Sequence, residues 1–346
     1  MDTVGMKISL TLTGASHAPS VGFILEGLPA GKRIDIEGVK RDIFRRSAAA
    51  HADSTPRREA DDFTIDSGLV NGVTTGEAIS FTFPNRAHDR GEYSPIARPS
   101  HADYCAYVKS RGCEDISGGG RYSGRMTLPL TAAGSICRQL LSERGIEIFA
   151  HVLAIGGERD SAFDPMHSEK PDMDWLFPVL DEAAGERMRE LIRRTREAGD
   201  TLSCEVECAV LGLPVGLGEP LFAGVESTLS SLLFMIPGLR GVEFGDRLAF
   251  GSQMNDCFTV GGRTAANHSG GVNGGMANGM PLVFRCWFRP VPSIALPQTG
   301  YDLINNAPVP LTIKGRHDTA ILPRGLVAVE AAAALAILDL MSEGTK

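Results

Sequence analysis

The stretch from Arg98 to Thr127, RPSHADYCAYVKSRGCEDISGGGRYSGRMT, holds three consecutive glycines at positions 118–120. Glycine costs backbone entropy on folding, so a triplet is used where the backbone must approach another group closely. Arg121 and Arg125 follow the triplet, and a helix-period segment begins soon after them. Exposed amides, a helix N-terminus and guanidinium groups all favour a bound anion. The stretch therefore predicts a cradle for phosphate or carboxylate groups.

Length, composition, net charge and cysteine count limit the kinds of protein that the chain can be. With 346 residues, 43% of them hydrophobic and 22% charged, the sequence is typical of a globular protein, and one large domain spanning residues 1–346 is the simplest interpretation. A net charge of -8 argues against a nucleic-acid partner. No apolar run is long enough to predict a membrane span. Seven cysteines without a C-x-x-C pair predict reduced thiols in the cytoplasm.

Arginines gather in short stretches that also hold glycine, histidine or serine. A locally cationic pocket on an acidic protein is what a small polyanionic ligand requires. The arginines in these stretches are Arg45, Arg46, Arg57, Arg58, Arg98, Arg121, Arg125, Arg289 and Arg316.

Periodicity predicts a mixed α+β fold rather than a doubly wound parallel sheet, because strands and helices do not alternate strictly. The strands are predicted at Lys7–Thr13, Val21–Glu26, Phe63–Ser67, Ala78–Phe83, Glu147–Ile155, Ser203–Leu211, Leu282–Phe288 and Leu311–Lys314. The helices are predicted at Glu37–Ala49, Leu128–Glu143, Asp181–Ala198, Ser227–Met235 and Gly325–Met341. The segment Asp160–Trp175 is the best candidate for an exposed insertion loop.

Common glycine and histidine motifs are missing. The glycine stretch fails the dinucleotide pattern at Ser123, and the chain has no P-loop, no G-x-S-x-G and no H-E-x-x-H. Histidines never pair at ligand spacing, so no metal site is expected. His17 and His101 stand out because each lies in a loop of small residues, which leaves room for a ligand. For Asp318, the pattern H-D leaves a general acid–base role and a simple turn equally open.

The segments TLTGASHAPSVGFILEGLPAG, RPSHAD, SGGGRYSGR, GLGEP, NHSGG and KGRHD resemble the chorismate synthase family in content and order, over nearly the whole chain. The resemblance implies a β-α-β sandwich that assembles as a homotetramer and binds FMN. It implies a 1,4-elimination of phosphate from 5-enolpyruvylshikimate 3-phosphate, which gives chorismate and requires reduced FMN. Some members reduce their own flavin with NADPH, and the sequence leaves the reductant open.

The resemblance also carries site residues over. His17 would donate a proton or hydrogen bond to the leaving phosphate, His101 would steady the reduced flavin, and Asp318 would relay a proton there. Substrate anions would be held by Arg45, Arg46, Arg98, Arg125 and Arg316. Flavin would be held by Gly118, Gly119, Gly120, Arg121, Ser123, Asn267, Arg289 and Ser293.

Departures from the family pattern fall around the same loops. They are Ala15, Ser47, Ser100, Ser117, Tyr122, Gly124, Met126 and Arg289. Because both histidines and Asp318 are kept, we expect activity to be retained, with affinity affected before chemistry. The alternative is a catalytically weakened homologue that still binds FMN or phosphate on the same scaffold. A flavin oxidoreductase is a third hypothesis, but no nicotinamide fingerprint supports it.

Overall fold

The computed structural model describes residues 2–51, 61–86, 95–113, 117–166, 169–313 and 318–342. Within them, the α-helices are α1 (Ile36–Arg46), α2 (Asp103–Ser110), α3 (Thr127–Ser142), α4 (Glu182–Glu197), α5 (Val225–Leu233), α6 (Gly251–Met254) and α7 (Arg324–Met341). Short 3₁₀ turns lie at Ala48–Ala50, Ser117–Tyr122, Gly124–Met126 and Val260–Gly262.

The strands belong to two larger sheets and three small ones. They are β1 (Asp2–Val4), β2 (Ser9–Gly14), β3 (Ser20–Glu26), β4 (Thr64–Ser67), β5 (Leu69–Val70), β6 (Val73–Thr74), β7 (Ile79–Pro84), β8 (Ile96–Ala97), β9 (Glu147–Ile155), β10 (Glu158–Arg159), β11 (Cys204–Leu211), β12 (Leu239–Phe244), β13 (Val272–Asn273), β14 (Met276–Ala277), β15 (Leu282–Phe288), β16 (Gln298–Asp302) and β17 (Ala307–Leu311). The larger sheets have the orders β1-β2-β3-β7-β4 and β10-β9-β11-β15-β12, and all their neighbours are antiparallel. β17-β16-β8 forms a third sheet, and β5–β6 and β13–β14 are hairpins.

A layer of helices separates the two larger sheets. α3 packs against β2 and β3 on one side and against β9 on the other, while α7 packs against α3, β9 and β11. The closest approach of α3 and α7 requires Gly134, because a Cβ there would lie 2.4 Å from the Cα of Ala331. This arrangement confirms the predicted α+β fold, a β-α-β sandwich with the alanine-rich helix α7 buried at its centre.

Asp339 explains how a carboxylate is tolerated near the end of α7. Its oxygens accept hydrogen bonds from the backbone N–H groups of Met6, Lys7 and Ile8, at 3.0, 2.6 and 2.8 Å. Buried charges need such partners, because an unpaired one would have to be removed from water without compensation. The last helix therefore fixes the entry into β2.

The sequence predicts most of the large elements within about three residues, and it misses several of the shorter ones. α2, β12 and β16 had no strong periodic pattern, since α2 has eight residues and Gly241 and Gly300 interrupt the two strands. The strand predicted at Leu311–Lys314 is wrong in position, because β17 ends at Leu311. Residues 314–317 lie outside the described residues.

The segment Asp160–Trp175 contains no helix or strand in its described part, which omits residues 167 and 168. It is only partly exposed. Asp160 and Phe163 are buried, and Asp160 accepts hydrogen bonds from the backbone of Leu180 and Asp181. That this segment is an insertion stays a prediction.

Candidate active site

The glycine stretch joins the loops of the two histidines. The backbone N–H of Ser16 donates to the carbonyl of Gly120 at 3.1 Å, which anchors the loop of His17. On the other side, a Cβ at Gly119 would lie 3.4 Å from Cε1 of His101. Gly119 and Gly120 have φ of 89° and 49°, a region that favours glycine. These residues therefore bring three separated sequence segments together.

A cleft of about 510 Å³ opens beside this junction. One side is apolar and runs from Phe234 to Leu239, together with Tyr122 and Ile321. The predicted site residues that line it are Arg46, His101, Arg121, Ser123, Arg289, Ser293 and Asp318. An apolar cavity with a few convergent polar groups is the usual form of a small-molecule site.

His101 is held by a carboxylate. Its Nδ1 lies 2.6 Å from Oδ1 of Asp103, and the guanidinium of Arg98 donates to both oxygens of Asp103 at 2.7 and 2.9 Å. Burial would raise the pKa of Asp103, but the hydrogen bonds from Arg98 and His101 hold it well below its usual range. Because the ionised carboxylate accepts the Nδ1 proton, Nε2 is the nitrogen of His101 left for a ligand.

Buried guanidinium groups crowd together under the cleft. Arg46 donates to Oγ1 of Thr127 at 3.0 Å and to the carbonyl of Gly124 at 3.1 Å. Burial and the nearby guanidinium of Arg324 lower the pKa of Arg46 to about 9, against the opposing effect of Asp61, and Arg125 lowers it further. Like charges held this close favour a bound anion between or above them.

Arg324 was not singled out from the sequence. Its NH1 donates to Oδ2 of Asp318 at 2.6 Å and its Nε donates to the carbonyl of Arg46 at 3.0 Å, and all three residues line the cleft. The residue is the first of α7, a helix whose apolar sequence drew attention to burial alone. The useful signal was its place at the N-terminus of that helix, a few residues after the H-D pair.

The open side of the cleft holds a second group of arginines. NH1 of Arg289 donates to the carbonyl of Ser100 at 2.7 Å. Burial and the charge of Arg240 both lower the pKa of Arg289. Arg240 lies where the register of β12 shifts against β15, between Leu239 and Gly241. Such a bulge re-aims a side chain, and Arg240 lines the cleft.

The structure does not bring every predicted residue to the cleft surface. Arg45 pairs with Glu330 at 2.7 Å, and its Nε donates to the carbonyl of Trp175. Asn267 donates to the carbonyl of Pro281 at 2.8 Å, away from the cleft lining. Arg98 and Arg125 lie behind the lining, on Asp103 and Asp61.

The loop of His17 is anchored to the glycine stretch, but the His17 side chain is not among those that line the cleft. Gly118 lies in the 3₁₀ turn Ser117–Tyr122. Arg316 lies outside the described residues. Within the described ranges, no three His, Cys, Asp or Glu side chains are grouped so that they could hold a metal ion.

Comparison with known proteins identifies the family. The sequence model described as chorismate synthase matches residues 8–342. The chain belongs to the chorismate synthase family. Chorismate synthase from Dehalococcoides mccartyi is 39% identical over 354 residues, which cover 98% of this chain and 96% of the relative. That from Thermococcus gammatolerans is 40% identical over 350 residues, covering 97% and 96%.

A solved structure described as a crystal structure of chorismate synthase has the same fold. Its TM-score is 0.75 at 24% identity, and the match covers 97% of this chain and 92% of that chain. Of the helices described, none combines the length and the apolar character that crossing a bilayer requires.

Proposed function

We propose that the protein is a chorismate synthase, a carbon–oxygen lyase that eliminates phosphate from 5-enolpyruvylshikimate 3-phosphate to give chorismate. One observation carries the proposal. Three of the segments that resemble this family supply His101, Arg121 and Asp318 to one cleft, where Arg46 and Arg324 are crowded beside Asp318. His101 stands on the same cleft with its carboxylate partner. The shikimate pathway, which leads to aromatic amino acids, is where this reaction belongs.

The substrate is a multiply charged anion, and the buried arginines suit it. It carries a phosphate and two carboxylates, which guanidinium groups bind in fork geometry. Arg46 and Arg324 line the cleft, and Arg125 lies just behind them on Asp61. Their charge would stabilise the phosphate as negative charge develops on the leaving oxygen.

The cleft also fits a flavin mononucleotide. A volume of about 510 Å³ lies in the range of cofactor sites, and the apolar side from Phe234 to Leu239 suits a flat ring system. Arg289, Arg240 and Ser293 supply cationic and hydroxyl groups for a phosphate. When bound in its reduced form, FMN would lend electron density to the substrate as phosphate departs.

The proton-handling residues would be those carried over from the family resemblance. Asp103 keeps the Nδ1 proton of His101 in place, so that Nε2 can hold a proton toward the cleft. Asp318, paired with Arg324, would relay a proton at the opposite side of the same cleft. His17 would donate to the departing phosphate from the loop that Gly120 anchors.

We also propose a homotetramer in the cytoplasm. Large apolar side chains are exposed on two loops, with Leu221 and Phe222 on one and Phe250, Phe258 and Val260 on the other. Apolar surface of this kind marks an interaction site. All seven cysteines are free thiols, which suits a reducing compartment. Light scattering coupled to size-exclusion chromatography would measure the mass, and a monomer would contradict this assembly.

The decisive experiment is an anaerobic assay. Protein, reduced FMN and 5-enolpyruvylshikimate 3-phosphate are mixed, and the absorbance of chorismate is followed. We expect turnover, and a loss of roughly 10²–10⁴-fold on His101→Ala if that residue handles a proton. No product from the folded protein with reduced FMN supplied would contradict the function. Replacing reduced FMN by oxidised FMN with NADPH tests whether the protein reduces its own flavin.

A further inference from the structure

Asn85 is a buried amide that connects two parts of the site. It directly follows β7, and its side chain is 3% exposed. Nδ2 lies within hydrogen-bond distance of the carbonyls of Ala15, Ser16 and Ala18, at 3.2, 3.3 and 2.7 Å. Oδ1 accepts a hydrogen bond from Nε of Arg125 at 3.2 Å. Nothing in the local sequence pattern drew attention to this residue.

The loop that Asn85 holds is the one that carries His17. It connects β2 to β3, whose last register pair is Gly14 with Val21. The backbone N–H of Asn85 adds a fourth contact to this loop, a hydrogen bond to the carbonyl of Pro19 at 2.9 Å. A single residue just after the neighbouring strand β7 therefore binds carbonyls on both sides of His17 in the sequence.

The other end of the amide fixes a guanidinium. Nε of Arg125 donates to Asn85, and NH1 of Arg125 pairs with Asp61. Because a guanidinium is planar, two acceptors on different edges set both its position and its orientation. Arg125 and Asp61 are themselves buried.

The orientation of the amide is determined by these partners. If it were flipped, its NH₂ group would face a guanidinium and its oxygen would face carbonyl oxygens. The amide of asparagine supplies two N–H donors toward the loop and one acceptor oxygen toward Arg125. A carboxylate of the same shape keeps the acceptor for Arg125 but loses the donors for the loop.

We propose that Asn85 is a positioning residue, which sets the loop of His17 relative to the guanidinium of Arg125. The proposal deepens the proposed function, since it places the proton-donating loop relative to the anion-binding group that would meet the same phosphate. A misplacement of about 1 Å in such a pair can cost on the order of 100-fold in rate.

The test uses Asn85→Ala, the isosteric Asn85→Asp, and a matched control. Thr74 is the control because its side chain is also buried and also holds a loop by hydrogen bonds to the backbone, but it does not line the cleft. Its hydroxyl donates to the carbonyl of Pro29 at 2.7 Å and accepts from the N–H of Lys32 at 2.9 Å. Thr74→Val should therefore lower thermal stability without changing kcat, KM or phosphate affinity.

Activity is measured in a double-mutant cycle with His17→Ala. We expect Asn85→Ala and Asn85→Asp each to lower kcat roughly 10–100-fold in the otherwise unchanged protein. In the His17→Ala background, Asn85→Asp should change kcat by less than about 3-fold, because it keeps the acceptor for Arg125 and the histidine whose loop it positions is already gone. An equal loss in both backgrounds would show a general structural effect and overturn the proposal.

Binding of inorganic phosphate to the protein without flavin, measured by calorimetry, is the second readout. Loss of the contact to Arg125 should weaken phosphate binding by roughly 3–10-fold in Asn85→Ala but not in Thr74→Val. If the unmodified protein makes no chorismate, the proposed function fails while this arm still decides the role of Asn85. Unchanged phosphate affinity in Asn85→Ala would overturn it.

Discussion

Arg45 and Arg46 are neighbours in the sequence and yet belong to two different charge clusters. They are about 100° apart around α1, so they leave the helix in different directions. Arg45 pairs with Glu330 at 2.7 Å and with Asp42 at 3.5 Å, in a cluster that also holds Arg138. Arg46 instead reaches the cleft, beside Arg324.

The two guanidinium groups differ most clearly in their pKa. Burial would lower the pKa of Arg45, but Glu330 and Asp42 raise it above its ordinary value. Burial lowers the pKa of Arg46 to about 9, with Arg324 acting in the same direction. Both side chains are largely buried, so burial does not distinguish a structural arginine from one poised for a ligand. The balance of neighbouring charges does, because Arg45 faces the carboxylates of Glu330 and Asp42, whereas around Arg46 the carboxylates of Asp61 and Asp318 are opposed by two further guanidinium groups.

Glu330→Gln tests the structural side of this comparison and should have the largest effect. Glu330 lies within α7, pairs with Arg45 and Arg138, and accepts from the backbone N–H of Ala150 at 3.1 Å. Removing its charge leaves two guanidinium groups with one nearby carboxylate, Asp42. Breaking a buried ion pair costs about 3–5 kcal/mol, so we expect a loss of this size in the free energy of unfolding by urea titration.

Glu190→Gln provides the matched control on the surface. Glu190 pairs with Arg193 and Arg194 on α4, where the ions remain hydrated. Its melting temperature should stay close to that of the unmodified protein. Equal losses for the two glutamates would show that the buried cluster has no special structural weight.

Arg324→Ala tests the arginines at the cleft, which are proposed to bind the substrate. Truncating one partner of a charged, hydrogen-bonded contact typically costs about 2–5 kcal/mol of binding. We therefore expect kcat/KM for 5-enolpyruvylshikimate 3-phosphate to fall by roughly 10²–10³-fold, with a smaller change in unfolding free energy than Glu330→Gln shows. Steady-state kinetics under anaerobic conditions would measure the change.

Arg324→Lys sharpens this result. Lysine keeps the positive charge but cannot donate to the carbonyl of Arg46 and to Asp318 in the fork geometry of a guanidinium. We expect partial recovery of affinity without full recovery of kcat. Should Arg324→Ala lose stability as severely as Glu330→Gln while KM stays unchanged, the residue would belong with the structural cluster.

Local sequence patterns predict the sandwich because its large elements bury periodic apolar faces. α7 is an example, since its alanine-rich run could only be stable in the interior, and that is where it lies. Repeated amphipathic or apolar patterns extend over many residues, so a wrong residue or two does not change the result. The resemblance to the family then named candidate loops for the site, of which those of His101, Arg121 and Asp318 line the cleft.

The division of labour among the arginines could not be predicted in this way. Arg45 contacts the carboxylate of Glu330, and Arg46 lies beside the guanidinium of Arg324. Each partner is nearly 300 positions further along the chain. The direction of the Arg240 side chain depends on the shift in register between β12 and β15. Such contacts join distant segments and leave no periodic trace, so they need the tertiary structure.

Asp103→Asn tests the carboxylate that holds His101 at the cleft and pairs with Arg98. The pKa of Asp103 is held well below its usual range, so its stabilising effect is present above the ordinary pKa near 4 and is lost as the pH falls further. We expect a loss of about 1.5–3 kcal/mol in unfolding free energy at pH 7 that shrinks below pH 3. We also expect a lower kcat, because the amide has one acceptor oxygen where the carboxylate has two, and it places no negative charge beside His101.

The control for Asp103→Asn is Asp66→Asn. Asp66 is an exposed carboxylate that accepts from the hydroxyl of Thr82 at 2.7 Å, away from the cleft. Its substitution should leave kcat unchanged and cost less unfolding free energy at pH 7 than Asp103→Asn. A stability difference for Asp103→Asn that stayed constant down to pH 2 would contradict the assignment of a strongly acidic carboxyl.

His51 lies between the two clusters and should give the smallest effect. Its Nε2 donates to the carbonyl of Arg45 at 2.6 Å. Burial lowers its pKa, the hydrogen bond to Arg45 and the charge of Asp318 oppose this, and Arg324 and Arg45 lower it further. Because the pKa in the folded state is below the ordinary value near 6.5, stability is complete above that pH and declines as the pH falls.

His51→Gln keeps an N–H donor for the carbonyl of Arg45 and removes the titration. We expect its melting temperature to lie within roughly 2 °C of the unmodified protein at pH 8 and to decline less steeply between pH 6.5 and 4.5. Calorimetry across this range measures both slopes. Parallel slopes would mean that the folded protein does not lower the pKa of His51, against the burial and the neighbouring guanidinium groups seen in the structure.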